Sequence, residues 1–141
     1  MKILIVDDSY EARDVLRSFI EIHGHEVIEA VDGQDGLEKA KIHKPDLIIT
    51  DALMPKVDGF TLLRNIKMDP TLSSIPCVFY SAIYTGSKDR ELALSLGAEA
   101  FIEKPKTPDE FLEKIQTILE RKKQPAAQIE KRMIDDEKEF L

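Results

Sequence analysis

Two aspartates stand together at Asp7-Asp8, a third stands at Asp51, a serine at Ser81 and a lysine at Lys104, each at or just past the end of a short apolar run. Carboxylates, a hydroxyl and an ammonium are the parts of a phosphoryl-transfer site in which an aspartate is the nucleophile. Three carboxylates in one pocket repel, and a pair about 4 Å apart costs about 4 kcal/mol at an effective dielectric of roughly 20. Such a pocket needs a cation, a raised pKa or a lysine. A set of oxygen donors without imidazole or thiolate suits a hard divalent ion, Mg²⁺ best where phosphate is also present. Lys104 then supplies a second positive charge and Ser81 a short hydroxyl donor.

These residues meet only if the chain brings the ends of its apolar runs together. Five runs stand out: Ile3 to Val6, Val27-Ile28 with Ala30-Val31, Leu47 to Ile49, Cys77 to Tyr80, and Ala100 to Ile102. They are short and mostly β-branched or aromatic, which suits strands buried on both faces of a parallel sheet. Helical stripes separate them: Ala12, Val15, Leu16, Phe19 and Ile20; Leu37 and Ala40; Leu62, Leu63 and Ile66; Leu92, Ala93 and Leu96; Phe111, Leu112, Ile115, Ile118 and Leu119. The last has a full start signal in Thr107-Pro108-Asp109-Glu110, an N-cap, a proline at N1 and a glutamate at N3. Strict alternation predicts a three-layer α/β fold, a doubly wound five-stranded parallel sheet in the flavodoxin-like order 2-1-3-4-5. Ligands in such sheets bind at the carboxyl ends of the strands where the order reverses, between strands one and three. That point faces Asp7 and Asp8 toward Asp51, with Ser81 and Lys104 alongside.

The pattern resembles the receiver domain of two-component response regulators, the chemotaxis type included. The matching stretches are Ile3-Leu4-Ile5-Val6-Asp7-Asp8, Pro45 through Pro55, Asp58-Gly59-Phe60, Ser81-Ala82, Gly97-Ala98 and Phe101-Ile102-Glu103-Lys104-Pro105. Each alone is weak; in this order and spacing they are specific, over about residues 2–121. The resemblance implies that Asp51 is the phosphoacceptor and that Asp8 and Asp51 bind Mg²⁺ directly. It makes the backbone carbonyl of Leu53 a third ligand, and Asp7 acts mainly through metal-bound water. Lys104 pairs with Asp51 and then with the phosphoryl oxygens, Ser81 engages the phosphoryl group on switching, and Phe101 is the aromatic whose rotamer follows the switch. Ser81 stands where threonine is commoner, which keeps the hydroxyl. The Lys104–Pro105 bond is trans on base rates, whereas the resemblance implies cis. Asp58 reads as the N-cap of the third helix, with Pro55 and Gly59 stiffening the approach to it.

The resemblance further implies a sensor histidine kinase as donor, a downstream protein or output domain as target, and a switching face of helix 4, strand 5 and helix 5. It implies a signalling domain rather than an enzyme, with only self-phosphorylation and autodephosphorylation. The alternative is a pseudo-receiver that interacts without phosphorylation. Two other classes share parts of the pattern. A phosphohydrolase of the haloacid-dehalogenase type wants Asp-x-Asp after strand one, where this chain has Asp7-Asp8-Ser9. A flavodoxin wants a Ser/Thr/Gly-rich loop there to hold FMN phosphate, and the loop is acidic.

The 141 residues make one domain of 1–124 and an extension of 125–141. In the extension, Ile129, Met133, Asp136/Glu137 and Phe140 fall at roughly heptad spacing. It reads as a C-terminal helical extension packed on the domain, as a linker or coiled coil toward a dimer or output domain, or as a disordered tail. A homodimer would use that helix or the helix 4, strand 5, helix 5 face. The apolar ending at Phe140-Leu141 fits a chain cut from a longer protein. The 20 Lys and Arg against 27 Asp and Glu give a net charge of -7, which argues against direct nucleic-acid or membrane binding. Neither a signal peptide nor a membrane span is legible, so a cytoplasmic location is the expectation. Cys77, the one cysteine, reads as an inert core residue, and His23, His25 and His43 lack metal spacing.

Overall fold

The computed structural model describes residues 1–54, 56–82, 88–104 and 106–123. Ten elements alternate: β1 (Lys2–Val6), α1 (Tyr10–Ile22), β2 (Glu26–Ala30), α2 (Gly33–His43), β3 (Leu47–Thr50), α3 (Gly59–Met68), β4 (Cys77–Ser81), α4 (Lys88–Ser95), β5 (Ala100–Glu103) and α5 (Pro108–Lys123). All strand pairs are parallel and the order is β2-β1-β3-β4-β5. This is the flavodoxin-like arrangement expected from the alternation. Pro55, Pro105 with its Lys104 bond, and the extension 125–141 lie outside the described residues.

Both faces of the sheet are covered, which is why its inner strands are continuously apolar over residues 3–6, 47–49 and 77–79. All four residues of β3 are buried, as are Ile3 to Val6 of β1. On one face Leu4, Val6, Ile48 and Phe79 pack against Leu62, Leu63 and Ile66 of α3 and Ala93 of α4. On the other, Ile3, Ile5, Ile49 and Val78 pack against Leu16 and Ile20 of α1 and Phe111 and Ile115 of α5. Alternation along β4 sends Phe79 to the first face and Tyr80 to the second.

Short polar residues start the helices. Ser9, Asp32 and Asp58 each accept a hydrogen bond from the amide three residues on, capping α1, α2 and α3. The Thr107 hydroxyl does the same for Glu110 at the start of α5. Two sequence stripes are only partly buried. Val15 is 53% exposed, because α1 seats Arg13, Leu16 and Ile20 on the sheet and turns Val15 toward a groove beside α5. On α4 Ala93 alone is buried, and Leu92 and Leu94 stay 44% and 48% exposed.

Candidate functional site

The candidate residues come together because parallel strands end in step. Val6 pairs with Thr50, Thr50 with Phe79, and Ser81 with Glu103. The residues just beyond those positions therefore share one edge of the sheet. Asp7, Asp8 and Asp51 each offer a carboxylate oxygen, and these atoms lie within 4.8 Å of one another. Asp7 is buried, Asp51 half-buried and Asp8 exposed, so the cluster opens toward solvent through Asp8.

Each carboxylate is held differently. Asp7 Oδ1 accepts from the Ser9 amide at 2.9 Å, and Asp7 Oδ2 accepts from Lys104 Nζ at 3.1 Å. Asp51 Oδ1 accepts from the Ala52 amide at 2.7 Å and from the Ser81 hydroxyl at close range. With Oδ1 so engaged, Asp51 Oδ2 is the oxygen turned to Lys104 Nζ, at 3.8 Å. Lys104 thus stands between two carboxylates, and its nearer partner is Asp7, not Asp51. The sequence expectation paired it with Asp51; a four-carbon side chain reaches both, and only the fold decides which is closer. Burial works against the Lys104 charge, but attraction to Asp7 and then Asp51, with the Asp7 hydrogen bond, outweighs it and raises the ammonium pKa above the usual 10.5.

Three carboxylates against one ammonium leave two negative charges in a pocket of oxygen donors. That balance and that donor chemistry fit a hard divalent cation. The side chain of Leu53, two residues after Asp51, is half-exposed. Gly59 opens α3 directly beneath the site, donating its amide to the Ala52 carbonyl at 2.9 Å.

Ser81 is fully buried and already bonded to Asp51, and Phe101 is packed inward with its ring stacked on Phe79 at 5.8 Å between centroids.

Two further residues touch the site that the sequence reading did not single out. Arg13 Nη1 donates to the Asp7 carbonyl at 2.7 Å, and its Nε reaches Glu29 Oε1 at 3.3 Å. Its signal was available: Arg13, Leu16 and Ile20 share one helical stripe, so an arginine there is a buried one. Tyr80 lies under Lys104, with Nζ 5.3 Å from its ring centroid. A groove of about 400 Å³ runs beside this corner, lined among others by Val15, Phe19, Tyr80, Lys104 and Phe111. The histidines do not enter the acidic cluster, and Cys77 is buried in the core. Among the described residues, no helix is long and apolar enough to cross a membrane.

With this geometry in hand, comparison with known proteins is direct. The family model of the response regulator receiver domain matches residues 3–116. The alkaline phosphatase synthesis transcriptional regulatory protein PhoP of Bacillus subtilis is 35% identical over 120 residues, covering 85% of this chain and 49% of that protein. A CheY-like response regulator receiver domain protein from Methanospirillum hungatei superposes with a TM-score of 0.78 at 30% identity, covering 86% of this chain and 94% of that one. The signal receiver domain of a signal transduction histidine kinase from Syntrophus aciditrophicus gives a TM-score of 0.80 at 31% identity, covering 88% and 93%. The chain spans about half the length of curated relatives such as PhoP.

Proposed function

Because this chain belongs to the response regulator receiver domains of two-component signal transduction, we propose that it accepts one phosphoryl group on Asp51 from the phosphohistidine of a sensor histidine kinase. The observation that carries this reading is the convergence on Asp51: Ser81 and the Ala52 amide on Oδ1, Lys104 facing Oδ2, and the carboxylates of Asp7 and Asp8 alongside. Asp51 Oδ2 attacks phosphorus in line, an O–P bond forms, and the P–N bond of the donor breaks. The imidazole nitrogen keeps the bonding pair. Lys104 follows the negative charge from the carboxylate to the phosphoryl oxygens, and because its position is set beforehand it supplies stabilisation without reorganisation.

Asp7, Asp8, Asp51 and the carbonyl of Leu53 would hold Mg²⁺, which when bound neutralises phosphoryl oxygens that the acidic pocket otherwise repels. Millimolar Mg²⁺ is expected to raise the thermal midpoint, since a ligand at 100 times its Kd adds about 2.7 kcal/mol of stability. Thermal unfolding at matched ionic strength measures it. An equal rise in an Asp8→Asn, Asp51→Asn double variant would place the ion elsewhere.

After transfer Asp51 is an acyl phosphate whose Oδ1 is a neutral carbonyl oxygen, a weaker acceptor than a carboxylate, and Ser81 turns from it to the phosphoryl oxygens. Ser81 follows Phe79 by two residues on β4 and pairs with Glu103, while Phe79 pairs with and stacks on Phe101, so movement of Ser81 would pass along β4 and β5 toward the surface of α4, β5 and α5. Exposed Leu92 and Leu94 of α4 support that surface as the face read by an output domain, a downstream protein or a second copy. This is a population shift biased by a new local charge. Residues 1–124 would form the receiver and 125–141 its connection outward.

Intact mass after incubation with Mg²⁺ and acetyl phosphate tests the reading. The wild type is expected to gain one phosphoryl group and Asp51→Asn none. A gain of equal size in Asp51→Asn would refute Asp51 as the acceptor; no gain in either protein, nor from a kinase partner, would return the chain to the phosphorylation-independent alternative.

A further inference from the structure

Lys104 is a long, flexible side chain at the edge of a loop, yet it meets two carboxylates at defined distances. Its backbone explains only the start of its path: the amide donates to the Ser81 carbonyl at 3.0 Å, which fixes the chain end of β5 against β4. The remaining path crosses the aromatic face of Tyr80, where Nζ lies 5.3 Å from the centroid. That ring is itself immobilised from two other directions. It packs against the ring of Phe111 of α5 at 4.6 Å between centroids, tilted by 37°. Its hydroxyl oxygen accepts a hydrogen bond from the Lys106 amide at 3.2 Å, in the loop between β5 and α5.

We infer that Tyr80 is a positioning residue for Lys104, a fixed aromatic floor that aims the ammonium at Asp7 and Asp51. The inference rests on the proposed role of Lys104 and deepens it. The negative face of a phenol ring attracts an ammonium and asks nothing of its hydrogen-bond donors. All three N–H groups of Lys104 therefore remain for carboxylate or phosphoryl oxygens. A carboxylate in place of Tyr80 would compete for the charge; an aliphatic side chain would leave the four-carbon stem to wander. Tyr80 faces α1 and α5, the opposite side of the sheet from Phe79 and Phe101. It therefore positions the lysine independently of the Ser81 and Phe101 switch. It also lines the groove beside α1, so whatever occupies that groove touches the residue that aims Lys104.

Tyr80→Leu and Tyr80→Phe separate this role from simple core packing. Leucine keeps an apolar contact with Phe111 but loses the ring; phenylalanine keeps the ring and loses only the hydroxyl. The expected result is a fall of about fivefold in the rate of phosphorylation by acetyl phosphate in Tyr80→Leu, with most of the rate recovered in Tyr80→Phe. NMR of the metal-free, unphosphorylated protein supplies the second readout. The Hε resonances of Lys104 should be displaced upfield by the ring current in the wild type and Tyr80→Phe, and return to ordinary values in Tyr80→Leu. A rate in Tyr80→Leu within twofold of wild type, or Hε resonances that ignore the loss of the ring, would overturn the inference. A fall in Tyr80→Phe as deep as in Tyr80→Leu would overturn it too, moving the effect to the hydroxyl and the loop. If Asp51 takes no phosphoryl group even in the wild type, the proposed function fails, while the Lys104 resonances still decide the positioning.

Discussion

Lys104→Met is expected to slow phosphoryl transfer to Asp51 by about 10²- to 10³-fold, the usual cost of removing one preorganised donor from developing charge. Methionine nearly matches the lysine stem, so the contact with Tyr80 is kept and only the ammonium is lost. That ammonium lies 3.1 Å from Asp7 and 3.8 Å from Asp51. Without it three carboxylates face the incoming phosphoryl group with no fixed positive charge among them. The time course of phosphorylated mass under saturating Mg²⁺ measures the effect. A loss of less than tenfold would mean that bound cation alone carries the charge and that Lys104 is incidental.

The same residue sets a pH signature. Its pKa is raised in the folded protein: burial opposes the charge most strongly of any single influence, but Asp7, Asp51 and the Asp7 hydrogen bond together prevail. A group whose pKa is raised on folding contributes stability that is complete below its unfolded value, near 10.5 here, and is lost as pH climbs through the folded value. The wild type should therefore lose stability in strongly alkaline solution relative to Lys104→Met, which has no such group to titrate. Urea midpoints of the two proteins at neutral pH and above pH 10.5 read the difference. A gap independent of pH would show that the ion pairs add nothing to the fold.

The sequence makes the acidic edge legible because a parallel sheet leaves little choice. Apolar runs of similar length in register deliver their following residues to one edge, so Asp7, Asp51, Ser81 and Lys104 had to converge. Distances within that edge were not legible. Lys104 can reach Asp7 and Asp51 alike, and which is nearer depends on how β5 docks on β4. Tyr80 was hidden differently: as the aromatic last residue of an apolar run it looks like core, and half of it is. Its contact with Lys104 depends on the side to which strand alternation sends it and on where Phe111 stops it. Val15 was misread because helical periodicity finds the apolar stripe but not its limits. The sheet covers Leu16 and Ile20, whereas Val15, one residue earlier, faces the open groove. Arg13 belongs to the buried stripe by position, yet an arginine is ordinarily assigned to the surface; the Asp7 carbonyl and Glu29 supply the partners that make its burial tolerable.

Gly59→Ala is expected to destabilise the protein by about 2–3 kcal/mol and to impair phosphoryl acceptance with it, although alanine is the better helix former. A Cβ at Gly59 would stand 2.2 Å from the Asp51 carbonyl oxygen and 2.8 Å from Phe79 Cε1. The first is backbone at the end of β3, and the second is a fully buried ring stacked between Phe60 and Phe101. The carbonyl cannot yield without moving the acceptor's own backbone, and the ring is held between its two aromatic neighbours. Relief would have to come from displacing α3, whose Leu62, Leu63 and Ile66 are locked into the core. A native stability of about 5–15 kcal/mol makes such a loss large, and the thermal midpoint should fall by roughly 10 °C. Gly24→Ala is the comparison. Gly24 has φ +86° but open space around it, so its substitution strains one turn far from the site. It should cost about 1–2 kcal/mol and leave the phosphorylation rate as it was. Thermal unfolding and the acetyl phosphate assay on both variants separate the cases. Equal loss of rate in the two would trace the effect to global stability. Loss in Gly59→Ala alone, at a temperature where both are folded, would trace it to the closeness of α3 and the acceptor strand, a closeness that only a residue without a side chain permits.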